Sequence, residues 1–285
     1  MRRRNFVEYG ATLGLSLACA RVSAAGAPLR IGLTAVILAD QAAFLARWSE
    51  YLSERMDVPV VFAARESYQA VLDLLFSNQI DAAWICGYPY VRHQAQLRLL
   101  AVPLYQGNPV YQSYLIRTRG AAIKLNGWGD LKNRVLAYSD PLSNSGWLVA
   151  QAQLRAAGLS PKDLRRGFFA HGHNNVAEAV ASGLAHAGCI DGYVWETMQL
   201  QKAASVANTQ VIWKSEFYGF PPIVVRQDDR NPALDVLGQN LLGMHESAHG
   251  LELLRALNLN AFAKPSASLY DSIRELVKVV HGAPA

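Results

Sequence analysis

The sequence predicts an α/β protein built as two lobes with a ligand cleft between them. Three observations carry that prediction. A β-α-β-α-β order runs from Leu29 to Cys86, a similar order restarts after Gly127, and 285 residues is close to the size at which single cores divide. Composition agrees with a folded chain: 51% of residues are hydrophobic and 17% charged, with 12 Pro and 21 Gly, which excludes disordered and collagen-like classes.

Each element has its own signal. Leu29-Arg-Ile-Gly-Leu-Thr34 reads as a buried strand, and Phe44, Trp48, Tyr51 and Leu52 then recur at helical spacing. Val58 to Ala63 is the next strand. Ser67 can cap a second helix whose apolar positions Tyr68, Val71, Leu72 and Leu75 share one face. Ile80 to Cys86 is a third strand, ended by Gly87-Tyr-Pro. This order implies a parallel sheet covered by helices. In the second unit Gly127 to Leu131 reads as a loop and Arg134 to Tyr138 as a strand. Ser145 to Ala157 reads as a helix stopped by Gly158, Arg166 to Ala170 as a strand, Asn174 to Ser182 as a helix and Ala187 to Asp191 as a strand. Residues 248–282 look helical, with Leu251, Leu254, Ile273 and Val277 facing inward. They are expected to pack back on the first lobe and make it discontinuous in sequence.

The N-terminus reads as an export address. Arg2-Arg-Arg4 is followed by the short apolar run Gly10 to Ala20 and a small-residue cleavage site at Val22-Ser23-Ala24, the three parts of a secretory signal. Arg3-Arg4-Asn5-Phe6-Val7 also resembles a twin-arginine export motif. The apolar run is about half of the roughly 20 residues that span a bilayer, so stable membrane insertion is not expected. Cys19 only faintly resembles a lipoprotein box. The expected location is a bacterial periplasm. Export also explains the charge. The chain carries +5, but Arg2, Arg3, Arg4 and Arg21 against Glu8 put a local +3 into residues 1–24. The remainder is nearly neutral, with no basic stripe, which argues against a nucleic-acid partner.

The most informative local feature is Tyr138-Ser-Asp-Pro-Leu-Ser-Asn-Ser-Gly146, between a strand and a helix. Unpaired backbone N–H groups and the dipole of a helix N-terminus attract anions, and Ser143 and Ser145 add hydroxyl donors. The same residues also suit plain helix capping. No phosphate-loop lysine is present, so nucleotide hydrolysis is disfavoured. His171-Gly-His173 precedes another helix; no thiol or carboxylate sits at zinc-ligand spacing, and neither a metal nor a cofactor is expected. Cys86 and Cys189, the cysteines that survive cleavage, each follow an apolar run, where α/β folds place ligand contacts. Spacing alone does not say whether they pair. Tyr68, Tyr88, Tyr90 and Tyr111 are expected at the same cleft.

Taken in order, Glu66-Ser-Tyr68, Ile80-Asp-Ala-Ala-Trp-Ile-Cys-Gly87, Pro109-Val-Tyr111-Gln-Ser-Tyr-Leu-Ile116, Asp140-Pro-Leu-Ser-Asn-Ser-Gly146 and His173-Asn-Asn-Val-Ala-Glu-Ala-Val180 resemble one family. It is the PhnD-like phosphate, phosphite and phosphonate solute-binding proteins of ABC importers, and the likeness covers about residues 28–226. The resemblance implies a type II periplasmic-binding fold whose lobes, joined by crossover strands, close on the ligand. It places lobe one at 28–118 and 217–285 and lobe two at 119–216. It also implies oxyanion contacts from Tyr68, Tyr111, Ser143, Asn144, Ser145 and His173, with Asn144 where the family often has Thr. Asp191 and Glu196 lie near, but not at, the position of the carboxylate that holds an aminoalkyl group. Asp191 joins the candidate ligand residues, and an aminophosphonate is not expected.

The expected function is therefore non-enzymatic capture of a small oxyanion (phosphate, phosphite or a simple phosphonate) for an ABC permease. Two other readings follow from the cysteines. Trp84 to Tyr90 and Phe217 to Pro222 resemble a sensory branch of the family that signals to a membrane histidine kinase, in which Cys86 would bind arsenite. An exported hydrolase or transferase would instead need Cys86 or Cys189 within about 3 Å of His173.

Overall fold

The computed structural model describes residues 27–34, 41–120 and 123–282. The export signal, its cleavage site and Cys19 lie outside the described residues. Two sheets organise the chain. The first begins with β1 (Leu29–Thr34), α1 (Gln41–Met56), β2 (Val60–Arg65), α2 (Tyr68–Phe76), β3 (Ala82–Trp84), α3 (Gly87–Arg92) and β4 (Leu97–Leu104). β1 pairs parallel with both β2 and β3, as the β-α-β-α-β order requires. Ser67 caps α2, its Oγ accepting from Ala70 N at 3.2 Å, and Tyr68, Val71, Leu72 and Leu75 are the buried face. Two strands differ from the reading of the sequence. β2 begins after Pro59, which has no N–H to give to a ladder. β3 is only three residues long, because Ile85 N turns to Pro222 O and Cys86 becomes the N-terminal flank of α3.

The second sheet holds β5 (Val110–Thr118), β6 (Val135–Tyr138), β7 (Arg166–Phe169), β8 (Ala187–Asp191) and β9 (Thr209–Gly219), in the order β7-β6-β8-β5-β9. α4 (Val149–Ala156), α5 (His173–Ala181), α6 (Gly192–Leu200) and α7 (Ala204–Ala207) cover it. Trp128–Leu131, read as part of a loop, is a tight 3₁₀ turn that buries Trp128 and Leu131. The chain returns through β10 (Ile223–Arg226), α8 (Pro232–Leu242), α9 (Ala248–Ala256), β11 (Ala261–Ala263) and α10 (Asp271–His281). β10 inserts antiparallel between β3 and β4, and β11 closes the edge beside β4, giving the order β11-β4-β10-β3-β1-β2.

Three expectations about the lobes and the C-terminal segment are corrected. β5 was expected at the end of lobe one, yet it hydrogen-bonds along both edges into the second sheet, to β8 and β9. The sheets therefore change at residues 105–109 and 220–222, where Phe220 N donates to Pro109 O at 2.8 Å. Residues 248–282 are not wholly helical: β11 interrupts them, and Pro265 follows it. Their buried positions include Leu253, Leu254, Tyr270, Ile273 and Leu276, with Leu251 and Val277 half-buried. Finally, α10 packs on α3 but also on α4. His281 stacks on Tyr88 of the first lobe (6.2 Å between centroids) and on Trp147 of the second (5.8 Å). The last helix thus touches both lobes.

Candidate functional site

The helix read from Ser145 starts one residue earlier and opens with a π-type turn, Asn144–Leu148, before continuing as α4. Such bulges occur often at functional sites. Ser143 caps this turn, its Oγ accepting from Gly146 N at 2.9 Å. Asn144 reaches across the lobe boundary. Its backbone N–H donates to Cys86 Sγ at 3.2 Å, and its side-chain Nδ2 donates to the Tyr111 hydroxyl at 3.1 Å. The Tyr111 hydroxyl lies 3.8 Å from Cys86 Sγ. Ser145 accepts Ser113 Oγ on its carbonyl at 2.7 Å. The Ser145 hydroxyl, the Asn144 side-chain oxygen and the Ser139 hydroxyl are buried without a hydrogen-bond partner. Buried polar groups are rarely left unpaired unless a ligand or water completes them.

A second cluster adjoins the first. Tyr68, at the start of α2, donates its backbone N–H to Asp140 Oδ2 at 3.3 Å, another bond between lobes. His173 opens α5, and its Nδ1 accepts the backbone N–H of Asp191 at 3.0 Å. That bond puts the ring proton on Nε2. Burial lowers the His173 pKa to about 3, so the ring is a neutral donor at physiological pH. Burial also raises the phenols of Tyr68 and Tyr111 well above their ordinary value, with the Cys86 and Asp191 charges adding to it. Both hydroxyls therefore keep their protons. Asp191 caps α6, its Oδ1 accepting from Tyr193 N at 2.9 Å and Val194 N at 3.3 Å. Burial outweighs those two bonds, and Glu196 adds repulsion, raising its pKa to about 8.

Two cavities meet at Thr34 and Tyr68, which line both. The smaller lies beside Ser139, Asp140 and His173. The larger runs from Asp191 along Trp48, Trp84 and Phe220. All eight predicted ligand residues are buried: Tyr68, Cys86, Tyr111, Ser143, Asn144, Ser145, His173 and Asp191. Tyr111, Cys86, Asn144 and Ser145 pack around one turn, while Tyr68, His173 and Asp191 line the cavities.

Other expectations are corrected. Tyr88 stacks with Trp147 and His281, and Tyr90 packs on Tyr270, so neither faces the cavities. Glu196 is held by the hydroxyls of Tyr105 and Tyr114 and by Lys214 at 3.7 Å, outside both cavities. Cys86 and Cys189 are unpaired and belong to separate hydrophobic clusters. Neither thiol bonds to His173, whose Nδ1 is taken by Asp191 N, and burial raises both thiol pKa values. The thiol–imidazole pair of a hydrolase is not formed, and only one thiol stands at the site. In protein lacking residues 1–24, a disulfide reagent is expected to modify neither cysteine of the native fold within minutes and both after denaturation. Rapid native labelling would show that Cys86 is reachable.

Sequence reasoning missed Asp140, which holds Tyr68 N, together with Thr34 and the aromatic wall. Asp140 had a signal, since it opens the Pro-Leu-Ser-Asn-Ser-Gly run. The wall residues read only as core.

Comparison with known proteins gives a consistent picture. Residues 33–270 match the family described as the periplasmic phosphonate substrate-binding protein of ABC transporters. The phosphate-import protein PhnD of Mycolicibacterium smegmatis is 27% identical over 210 residues, which is 68% of this chain and 65% of that relative, a little under two thirds of its length. PhnD1 of Prochlorococcus marinus, solved in complex with methylphosphonate, superposes with a TM-score of 0.79 at 20% identity, covering 90% of this chain and 99% of its own. The binding-protein component of an ABC phosphonate transporter from Pseudomonas aeruginosa also gives 0.79 at 20% identity, covering 87% and 85%. At these identities the two solved structures establish the fold: two α/β lobes of the type II periplasmic-binding class.

Proposed function

This chain belongs to the periplasmic phosphonate substrate-binding family of ABC transporters, and on that premise we propose that it is an exported, non-enzymatic capture protein for a tetrahedral phosphorus oxyanion. Its partner is a membrane permease of that transporter class. The export signal ending near Ala24 is the route to the periplasm, and among the described residues no helix is long and apolar enough to cross a membrane.

One observation carries the reading. The N-terminal turn of the α4 helix presents a buried, unpartnered Ser145 hydroxyl beside Tyr111, with Cys86 Sγ on the Asn144 N–H. An anion oxygen is a better acceptor than a thiol sulfur, so the ligand takes over that N–H and the Ser145 hydroxyl. Tyr68, Tyr111 and the His173 Nε2–H supply the remaining donors. All of them are neutral and hold their protons at pH 7. Charge is therefore neutralised by oriented dipoles and hydroxyls, without a Lys or Arg counter-ion. Capture couples to motion because the donors come from both sides of the strand connections at 105–109 and 220–222. The Tyr68–Asp140 and Asn144–Cys86 bonds would form only when the lobes meet.

Titration calorimetry with methylphosphonate, phosphite and phosphate tests this directly. At least one should bind, and Ser145→Ala should weaken it by roughly tenfold or more, the loss of one hydrogen bond to a charged group (about 1.5–3 kcal/mol). Heat from none of the three would refute the assignment.

A further inference from the structure

We infer, resting on the oxyanion reading above, that the last turn of α10 is a latch holding the lobes shut on the ligand. Arg155 and His281, neither of which lines the cavities, are then positioning residues for capture. The start of α10 is rooted in the first lobe. Tyr270, immediately before the helix, donates its hydroxyl to Phe220 O at 3.0 Å, at the strand connection. Ile273 packs on Gly87 of α3, where a Cβ would fall 2.6 Å from its Cδ1. Arg274 Nε donates to Gln94 Oε1 at 3.0 Å, just beyond the end of α3.

The other end of the helix crosses to the second lobe. The Val279 carbonyl accepts from the guanidinium of Arg155, which stands in the last turn of α4. Carbonyls in the last turn of a helix lack intrahelical partners and carry the negative end of its dipole, so a cation from the opposite lobe suits them. Among the described residues Arg155 forms no ion pair that would compete for it. Two residues on, His281 Nε2 lies 2.9 Å from the Tyr88 hydroxyl. The Tyr88 and Trp147 rings are 6.1 Å apart and within 19° of parallel, and the His281 ring lies beside both. Trp147 belongs to the turn Asn144–Leu148 that presents Ser145 and the Asn144 N–H, and Arg155 lies near the far end of the same helical body. That body is thus held near both ends by α10.

Contacts made only while the lobes meet stabilise the closed state without touching the ligand. When closure encloses the ligand, apparent affinity scales with the population of the closed form. Weakening the latch therefore raises Kd by the factor by which closure becomes rarer, and it speeds release. Arg155 and His281 are both exposed, so each contact is modest. A modest latch favours closure yet lets the cleft reopen, as delivery of the ligand requires.

Calorimetry and ligand-release kinetics with methylphosphonate, phosphite and phosphate on the mature chain test the latch. Arg155→Ala and His281→Ala should each raise Kd roughly three- to tenfold, as loss of one hydrogen bond or aromatic contact would, with faster release and an unchanged association rate. Arg155→Lys, which keeps a cation at the Val279 carbonyl, and His281→Phe, which keeps the ring, should recover much of the loss. Lys278→Ala, in the same turn but paired with Glu275 within α10, should leave Kd unchanged. In X-ray scattering without ligand, the double variant Arg155→Ala, His281→Ala should show a larger radius of gyration than the wild type. Wild-type affinity in the double variant would overturn the latch, as would an equal loss in Lys278→Ala, the mark of a generally loosened helix. If none of the three anions binds the wild type, the oxyanion reading fails instead, and an unchanged radius of gyration then overturns the latch separately.

Discussion

Gly146→Ala is expected to weaken oxyanion binding by about 100-fold or more. A Cβ at position 146 would lie 1.8 Å from Ser139 Oγ, 2.7 Å from Ser139 Cβ and 3.0 Å from Ser143 Oγ. The Ser139 hydroxyl can rotate away, but its Cβ is fixed by the end of β6. The strand end and the helix turn must therefore separate. That motion displaces Ser145 and the Asn144 N–H together, and two hydrogen bonds to an anion are worth about 3–6 kcal/mol. Overpacking should also cost about 1–3 kcal/mol of stability. The double variant Ser139→Gly, Gly146→Ala removes the obstructing Cβ and should recover most of the affinity in calorimetry. Wild-type affinity in Gly146→Ala alone would show that this turn does not hold the ligand.

Asp191 and His173 predict a stability that declines toward alkaline pH. Asp191 titrates at about pH 8 in the fold against about 3.9 in an unfolded chain. Between those values the folded protein holds a proton that the unfolded chain releases. Its contribution is complete below the unfolded pKa and is lost as pH rises through 8, at about 1.4 kcal/mol per unit. His173 has the opposite sign. Its folded pKa of about 3 lies below the unfolded value of about 6.5, so stability grows with pH between them. The two slopes oppose each other up to pH 6.5, and Asp191 stands alone from there to pH 8. Denaturant melts should show a loss of about 2 kcal/mol across that window, absent in Asp191→Asn, which keeps an equally good helix cap. Oxyanion affinity should fall roughly tenfold or more by pH 9.5 in the wild type, because an ionised Asp191 repels the ligand, and should hold in the variant. Identical pH profiles for the two proteins would refute the assignment.

The resemblance and the residues together gave the fold class, and the reason is local. Ser67 with Tyr68, Val71, Leu72 and Leu75 specifies a capped, one-sided helix whatever lies across from it. Ser143-Asn-Ser-Gly146 likewise specifies a polar helix start. The eight predicted ligand residues all proved buried, since each stands at an element end, where α/β folds direct their loops toward a cleft. What escaped was of another kind. The aromatic wall is indistinguishable from core by periodicity, because Phe44 and Trp48 lie on the same helical face as the fully buried Tyr51 and Leu52. Tyr88 and Tyr90 carried the same ambiguity and resolved toward packing.

The sequence by itself determined two α/β units, their order and a hydroxyl-rich helix start, since periodicity and capping depend on residues within a few positions of one another. Only the tertiary structure decided that β5 joins the second sheet, that Asn144 N meets the Cys86 thiol 58 residues away, and that Tyr68 N meets Asp140 across 72. Only the tertiary structure turned an ordinary carboxylate and an ordinary imidazole into a protonated acid and a neutral donor. Those properties come from burial between lobes, and burial is set by distant segments brought together.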